Sequence, residues 1–336
     1  MLYGIVAAAT ALLLTALLAA ALRRPARRLR LIERRSRREV PLSGGVAVVA
    51  VTGTVVAVKD WSSAGSGAGG LLAAAGAVAL LGLADDAWRL RRRVLAGGTA
   101  VAALCVAPYA EAGVAAGLLG ALWVVGVTLG FRGLDHADGL AGAVGVAAAF
   151  GVAACAAVDV MDGIAGLLSV LAAALTGFLL HNWHPARAGL GSCGSMAAGF
   201  VIAAGAVQVR AGFGMLESAG VLFALSALAG ADVVLVLLSR RLAGRAAGRS
   251  GPDHLAHRLR RLGLTVPGIT LLLGALAFCG VLVGVLAHAG WVGADALWWV
   301  AGVALLVVFA LSRVPVYAPG RRVSPQVGAP LRVRNG

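Results

Sequence analysis

Apolar runs long enough to cross a bilayer recur from one end of this chain to the other, and that recurrence limits its fold more than any other feature. They fall near residues 2–22, 44–58, 68–84, 94–110, 114–131, 140–157, 164–180, 196–209, 219–239, 266–287 and 292–312. A bilayer core takes about 17–25 residues of helix. Only 13% of the 336 residues are charged, against roughly 25% in soluble domains. Gly and Ala are abundant inside the runs, as expected where membrane helices approach closely. The pattern predicts an all-α, polytopic transmembrane bundle of about 10–11 spans. Residues 1–312 form one integral-membrane unit, and 313–336 an Arg-containing, flexible cytoplasmic tail. No small-residue cleavage site follows Met1–Leu22, so this run reads as a retained first helix.

The loops orient the bundle. With eleven spans, 27 of the 29 basic residues fall on one side, and only Lys59 and Arg210 on the other. Arginine is retained on the cytoplasmic side of membrane proteins. The expected topology therefore has the N-terminus outside, the C-terminus cytoplasmic, and the chain multi-pass in the plasma (inner) membrane. The net charge of +15 reports this topology and not a nucleic-acid partner, because no aromatic residues interleave with the arginines as a stacking surface requires. The four cysteines show no metal-binding or disulfide spacing.

The chain has 14 acidic residues, so their placement is informative. Asp85 and Asp86 end the third span, Asp135 and Asp138 follow the fifth, and Asp253, His254 and His257 lie after the ninth. All face the arginine-rich side. Adjacent carboxylates at helix ends, converging on one face, suit a hard cation such as Mg²⁺. The alternative is that each solvates its loop or pairs with an arginine.

Seven segments in order carry a resemblance. Gly126 to Ala141, with Asp135 and Asp138 in its Leu-Asp-His-Ala-Asp-Gly-Leu-Ala end, resembles the "GVTNAxNLxDxxDGLA" signature of the polyprenyl-phosphate N-acetylhexosamine-1-phosphate transferases. Pro41-Leu-Ser-Gly44-Gly45 is similar to their PxxGG turn. Leu81 to Asp86, with Leu90 following, is similar to "GxxDDxxxL". Gly177 to Arg187 resembles "GFLxxNxxPAxI", and Gly191 to Ser195 resembles "GDxGS". Asp232 followed by Arg240 resembles "xxDxxxxxxxR", and Asp253 to Leu259 resembles "DxxHxHHRL". The resemblance covers roughly residues 40–265.

It implies a membrane enzyme that moves a sugar-1-phosphate from a UDP-sugar to undecaprenyl phosphate and releases UMP. Its cofactor is Mg²⁺, with Mn²⁺ an alternative. The products are lipid-linked precursors of cell-wall peptidoglycan or surface glycans. It further implies catalytic roles for Asp85, Asp86, His254 and His257, and substrate contacts from Arg132, Asp135, Asp138, Asn182 and Arg258. A metal would be held by Asp85, Asp86, Asp138 and the residue at Ser192. A homodimer is compatible with it.

The departures are specific. Leu129 and Arg132 replace the two Asn of "NAxN". Ser192 replaces a metal-binding Asp, and Ala256 a His. The basic residue expected about ten positions after Asp85 is Leu95, with Arg91, Arg92 and Arg93 nearby. A hydroxyl is a weaker Mg²⁺ ligand than a carboxylate, so the same features fit a catalytically impaired relative. Such a protein binds UDP-sugar, lipid phosphate or a nucleoside inhibitor without turnover. A transporter predicts ionisable groups at mid-membrane, and only Asp232 qualifies. Val158 to Gly166 resembles a further Asp-Gly motif but falls on the opposite side and reads as an external turn. His181 and His184 fall at the cytoplasmic end of the seventh span, and His288 reads as an interfacial residue on the outer side.

Overall fold

The computed structural model describes residues 2–35, 38–60, 68–244, 251 and 253–316. Of the expected tail 313–336, residues 317–336 lie outside the described residues, and its start is held by Arg258 on Val314 O and Arg261 on Val316 O. Helices α1 (Leu2–Ala21) and α2 (Arg23–Arg28) are followed by strands β1 (Ile32–Arg35) and β2 (Arg38–Pro41). Then come α3 (Gly44–Asp60), α4 (Ala68–Trp88), α5 (Arg92–Val106), α6 (Tyr109–Leu134), α7 (Leu140–Val158) and α8 (Asp162–Asn182). The chain continues through α9 (Gly191–Val209), α10 (Met215–Leu242), α11 (Leu255–Arg261), α12 (Val266–His288) and α13 (Asp295–Ser312). Each of the eleven expected spans coincides with one helix. Among the described residues, nine helices are long and apolar enough to cross a membrane. Large apolar side chains such as Leu17, Leu80, Leu122, Leu180 and Trp298 point outward, as they can where the solvent is lipid.

The two-stranded hairpin is absent from the sequence reading. Its antiparallel register sets Ile32 opposite Pro41. Gly189 donates its amide to Pro41 O at 2.9 Å, and Gly44 donates to Gly189 O at 3.0 Å. The hairpin thereby fastens the Pro41–Gly45 turn to the loop before α9.

Helix α9 is the centre of the bundle. Every residue from Gly191 to Val207 is buried, and α3, α4, α6 and α7 surround it. Its run of Gly, Ala, Ser and Cys lets four neighbours approach a single helix. Gly82 marks one close approach: a Cβ there would lie 2.4 Å from Ser192 O. One turn later α4 carries Asp85 and Asp86, so this contact delivers both carboxylates to the start of α9.

Polar groups gather at the two ends of the bundle. At one end meet the C-termini of α4, α6, α8 and α10 and the loops that follow them. At the other, Arg210 after α9 pairs with Glu217 of α10, and His288 of α12 with Asp159 after α7. His288 is therefore a buried core residue and not an interfacial one. The Val158–Gly166 turn lies at this far end, away from the other motifs. Helix α1 starts at the far end, and α13 ends at the near end.

Candidate active site

The near end is built on the first turn of α9. Helix N-termini leave amides without intrahelical partners and favour negative charge. Asp86 fills this role with both oxygens: Ser192 N–H donates to Oδ1 at 2.8 Å and Cys193 N–H to Oδ2 at 3.0 Å. Asp135 accepts from Gly191 N–H at 2.7 Å. Gly191 has φ 69°, a conformation that costs a side-chain-bearing residue about 1–2 kcal/mol. Any Cβ at this position would also lie 2.7 Å from Asp86 Oδ2. Asp86 and Asp135 thus cap α9.

Asp85 is buried and faces a different set. Ser192 Oγ donates to Asp85 Oδ2 at 2.6 Å. Arg132 donates to the same oxygen from Nη2 at 2.7 Å and from Nε at 3.1 Å, and Nε also reaches Ser192 Oγ at 3.0 Å. The guanidinium therefore joins α6 to the α4–α9 contact. Its side chain remains 30% exposed, while that of Asp85 is 4% exposed. Arg92 lies within electrostatic reach of Arg132, Arg240 and Asp85. Leu95, at the place that the spacing assigned to a basic residue, is fully buried in the core.

Asp138 is directed to the α8–α9 loop. It accepts from His184 Nδ1 at 2.9 Å and from Ala186 N–H at 3.2 Å. Buried Asn182 accepts from Gly139 N–H at 2.8 Å and donates to Ala188 O at 2.8 Å, clamping the two motif loops together. Asn182 shapes the site from behind.

Beside this group lies a histidine cluster. His254 Nδ1 pairs with buried Asp232 at 2.7 Å, and Leu255 N–H donates to the other Asp232 oxygen at 2.8 Å. Asp232 is thus one anchor of the 253–257 loop, and the buried Arg240–Asp253 pair at 2.6 Å is another. His136 stacks on both His254 and His257, with ring centroids 4.3 and 4.7 Å away. Burial, followed by the neighbouring His254, pushes the His136 imidazole down to about 3. The same two causes lower His257. His136 Nε2 and His257 Nδ1 are buried without a hydrogen-bond partner among the described residues. His136 was not singled out from the sequence, because it occupies a variable position between two signature carboxylates.

Two expected substrate contacts are corrected: Asn182, fully buried with both ends of its amide on backbone groups, and Arg258. Arg258, expected to touch substrate, is fully buried and binds the fold itself. It donates to Asp253 O at 3.1 Å, to Leu311 O and Val314 O at 2.7 Å each, and to Ser239 Oγ. It secures the end of α13. In this structure each residue of the expected metal set Asp85, Asp86, Asp138 and Ser192 is engaged with groups of the protein. Asp86 is engaged by amides, Asp138 by His184, and Asp85 and Ser192 share a guanidinium. Among the described residues, no group of three or more His, Cys, Asp or Glu is arranged to hold a metal. Asp85, Asp86, Asp135, Arg132 and Ser192 do meet, with Asp138, Asn182, His254 and His257 on the adjoining loops.

Residues 68–210 match the family model described as Glycosyl transferase family 4. The Streptomyces coelicolor protein named "Putative glycosyltransferase SCO3672" is 61% identical over 98% of this chain and 82% of its own length. A phospho-N-acetylmuramoyl-pentapeptide-transferase of Desulforamulus reducens is 32% identical over 46% of each chain. A decaprenyl-phosphate N-acetylglucosaminephosphotransferase of Mycobacterium tuberculosis is 32% identical over 32% of this chain and 31% of its own. The chain thus spans less than half the length of these last two relatives.

Proposed function

Because this chain belongs to the polyprenyl-phosphate N-acetylhexosamine-1-phosphate transferase superfamily, a group of multi-pass membrane glycosyltransferases, we propose that it moves an N-acetylhexosamine-1-phosphate from a UDP-sugar to undecaprenyl phosphate. One observation carries the proposal: motif residues from four separate loops converge on one end of the bundle, around the start of α9.

The chemistry of the site supports it. A diphosphate carries dense negative charge, and breaking its P–O bond adds charge to the departing UMP, so fixed cations aimed there favour the reaction. Arg132 and Arg92 supply such charge. Asp85 is the carboxylate nearest them and is the candidate to receive or orient the attacking lipid phosphate. His254 and His257 sit where a phosphate or sugar hydroxyl could meet an imidazole nitrogen. An apolar groove of about 690 Å³ runs between α7 and α12 and ends at Trp183 and Thr270. The Thr270 hydroxyl donates to Asp138 O at 2.8 Å, so an isoprenoid tail in this groove reaches the site from the bilayer. The arginine bias of the loops makes this end cytoplasmic, where UDP-sugars are available.

A second reading has its own observation. The Arg132–Asp85–Ser192 contact ties up the carboxylate that the reaction needs, which favours a protein that binds the same ligands without turnover. Purified protein in nanodiscs, given undecaprenyl phosphate and radiolabelled UDP-N-acetylglucosamine or UDP-muramoyl peptide, decides between the two. Labelled lipid with stoichiometric UMP supports transfer. UDP binding without labelled lipid supports the second reading, and neither binding nor transfer refutes both.

A further inference from the structure

The two departures at Arg132 and Ser192 are 60 residues apart in sequence, yet they meet on one oxygen. Arg132 Nε contacts Ser192 Oγ at 3.0 Å, and both groups donate to Asp85 Oδ2. Their charges are complementary to what is missing. Relative to the signature that the sequence resembles, Asn to Arg adds one positive charge and Asp to Ser removes one negative charge. Together they supply the same charge as one divalent cation. The protein around Asp85 therefore has, without metal, the charge balance that the signature reaches only with metal bound.

We propose that the Arg132 guanidinium is a built-in cation standing in place of a divalent metal, so that this protein binds the diphosphate of a nucleotide sugar independently of Mg²⁺. The inference rests on the nucleotide-sugar reading above. Three further observations favour it. The Arg132 side chain keeps 30% of its surface open, and its Nη1 has no hydrogen-bond partner among the described residues, so donors remain for an incoming phosphate. Arg92 adds positive potential within electrostatic reach of Arg132, which attracts an anion and repels a hydrated Mg²⁺, whereas Arg240 is compensated by buried Asp253 at 2.6 Å. Both oxygens of Asp86 accept backbone amides, so the neighbouring carboxylate is not open to a metal. A guanidinium also binds phosphate through paired, directed N–H groups.

The test uses the full-length protein in nanodiscs and reads UDP affinity by calorimetry, in excess EDTA and in excess MgCl₂. The wild type is expected to bind UDP equally in both, within about twofold. Arg132→Gln should weaken UDP by about tenfold or more, while Arg132→Lys recovers part of the loss. The double variant R132N/S192D restores one carboxylate beside Asp85 and replaces the guanidinium by a neutral amide. It should bind UDP only with Mg²⁺, and should broaden the Mn²⁺ electron paramagnetic resonance signal, which the wild type leaves unchanged. Wild-type protein that binds UDP only in MgCl₂, or that binds Mn²⁺ in a manner abolished by Asp85→Asn, overturns the inference and leaves the functional reading standing. Absence of UDP binding in both buffers overturns the two together. A Mn²⁺-silent double variant that keeps its size-exclusion profile and thermal transition also counts against the inference.

Discussion

The two ends of the bundle each hold an arginine against a carboxylate, and they use it differently. At the far end, Arg210 is sealed. Its side chain is 2% exposed. It meets Glu217 at 2.9 Å, His288 at 3.0 Å and Ser218 at 3.3 Å, and lies 3.9 Å over the Phe213 ring. His288 in turn contacts Cys155 O and Asp159 at 3.2 Å. At the near end, Arg132 bonds one oxygen of Asp85 and leaves part of its guanidinium open. A charge enclosed on every side stabilises a fold by having no alternative partner. One left partly open can exchange its solvent for a ligand. The difference separates a structural ion cluster from a binding site.

The sharpest way to break this contrast is a matched pair of substitutions. Arg210→Met takes the partner from buried His288 and from the half-exposed Glu217, and is expected to cost about 2–3 kcal/mol of stability with UDP affinity unchanged in the folded fraction. Unfolding in mixed detergent and SDS measures the first, and calorimetry the second. Next in size is Asp232→Ala, which removes the acceptor for His254 and the Leu255 amide. A loss of about 1–3 kcal/mol should be accompanied by weaker nucleotide binding, because the 253–257 loop loses one of its anchors. Arg132→Met should cost less, about 1–2 kcal/mol, since buried Asp85 keeps the Ser192 hydroxyl; here nucleotide affinity falls as well. If Arg132→Met destabilises as much as Arg210→Met, the distinction between an open and a sealed arginine is wrong.

The smallest effect concerns pH. His136 is held neutral, down at about 3 against an ordinary 6.5. Between those values the unfolded chain binds a proton that the folded chain refuses, so stability is full above about 6.5 and falls as the pH drops below it. The slope is at most about 1.4 kcal/mol per pH unit for one histidine. Melting curves at pH 7.5 and 5.5 should therefore diverge in the wild type and converge in His136→Gln. His257, lowered in the same direction, leaves a smaller residual slope in that variant.

Much of this was legible in the chain itself. Each apolar run became a helix, because a span of that length has one way to satisfy its own backbone. The ordered motifs named the loops that meet, and the family match agrees with them. The hairpin Ile32–Pro41 escaped because its arginine-rich strands have no apolar alternation and are secured by Gly189 rather than by a core. Arg258 looked like a substrate ligand because it follows two histidines in a motif. Its burial against the end of α13 depends on contacts more than fifty residues away.

Sequence alone determined the spans, the segregation of arginine and the identity of the residues that replace the usual ones. Only the tertiary structure decided which carboxylate each donor reaches. Asp85 and Asp86 are adjacent in the chain, and one receives a guanidinium while the other caps a helix. Neighbouring side chains on a helix point about 100° apart, so adjacency in sequence separates partners that packing alone can assign.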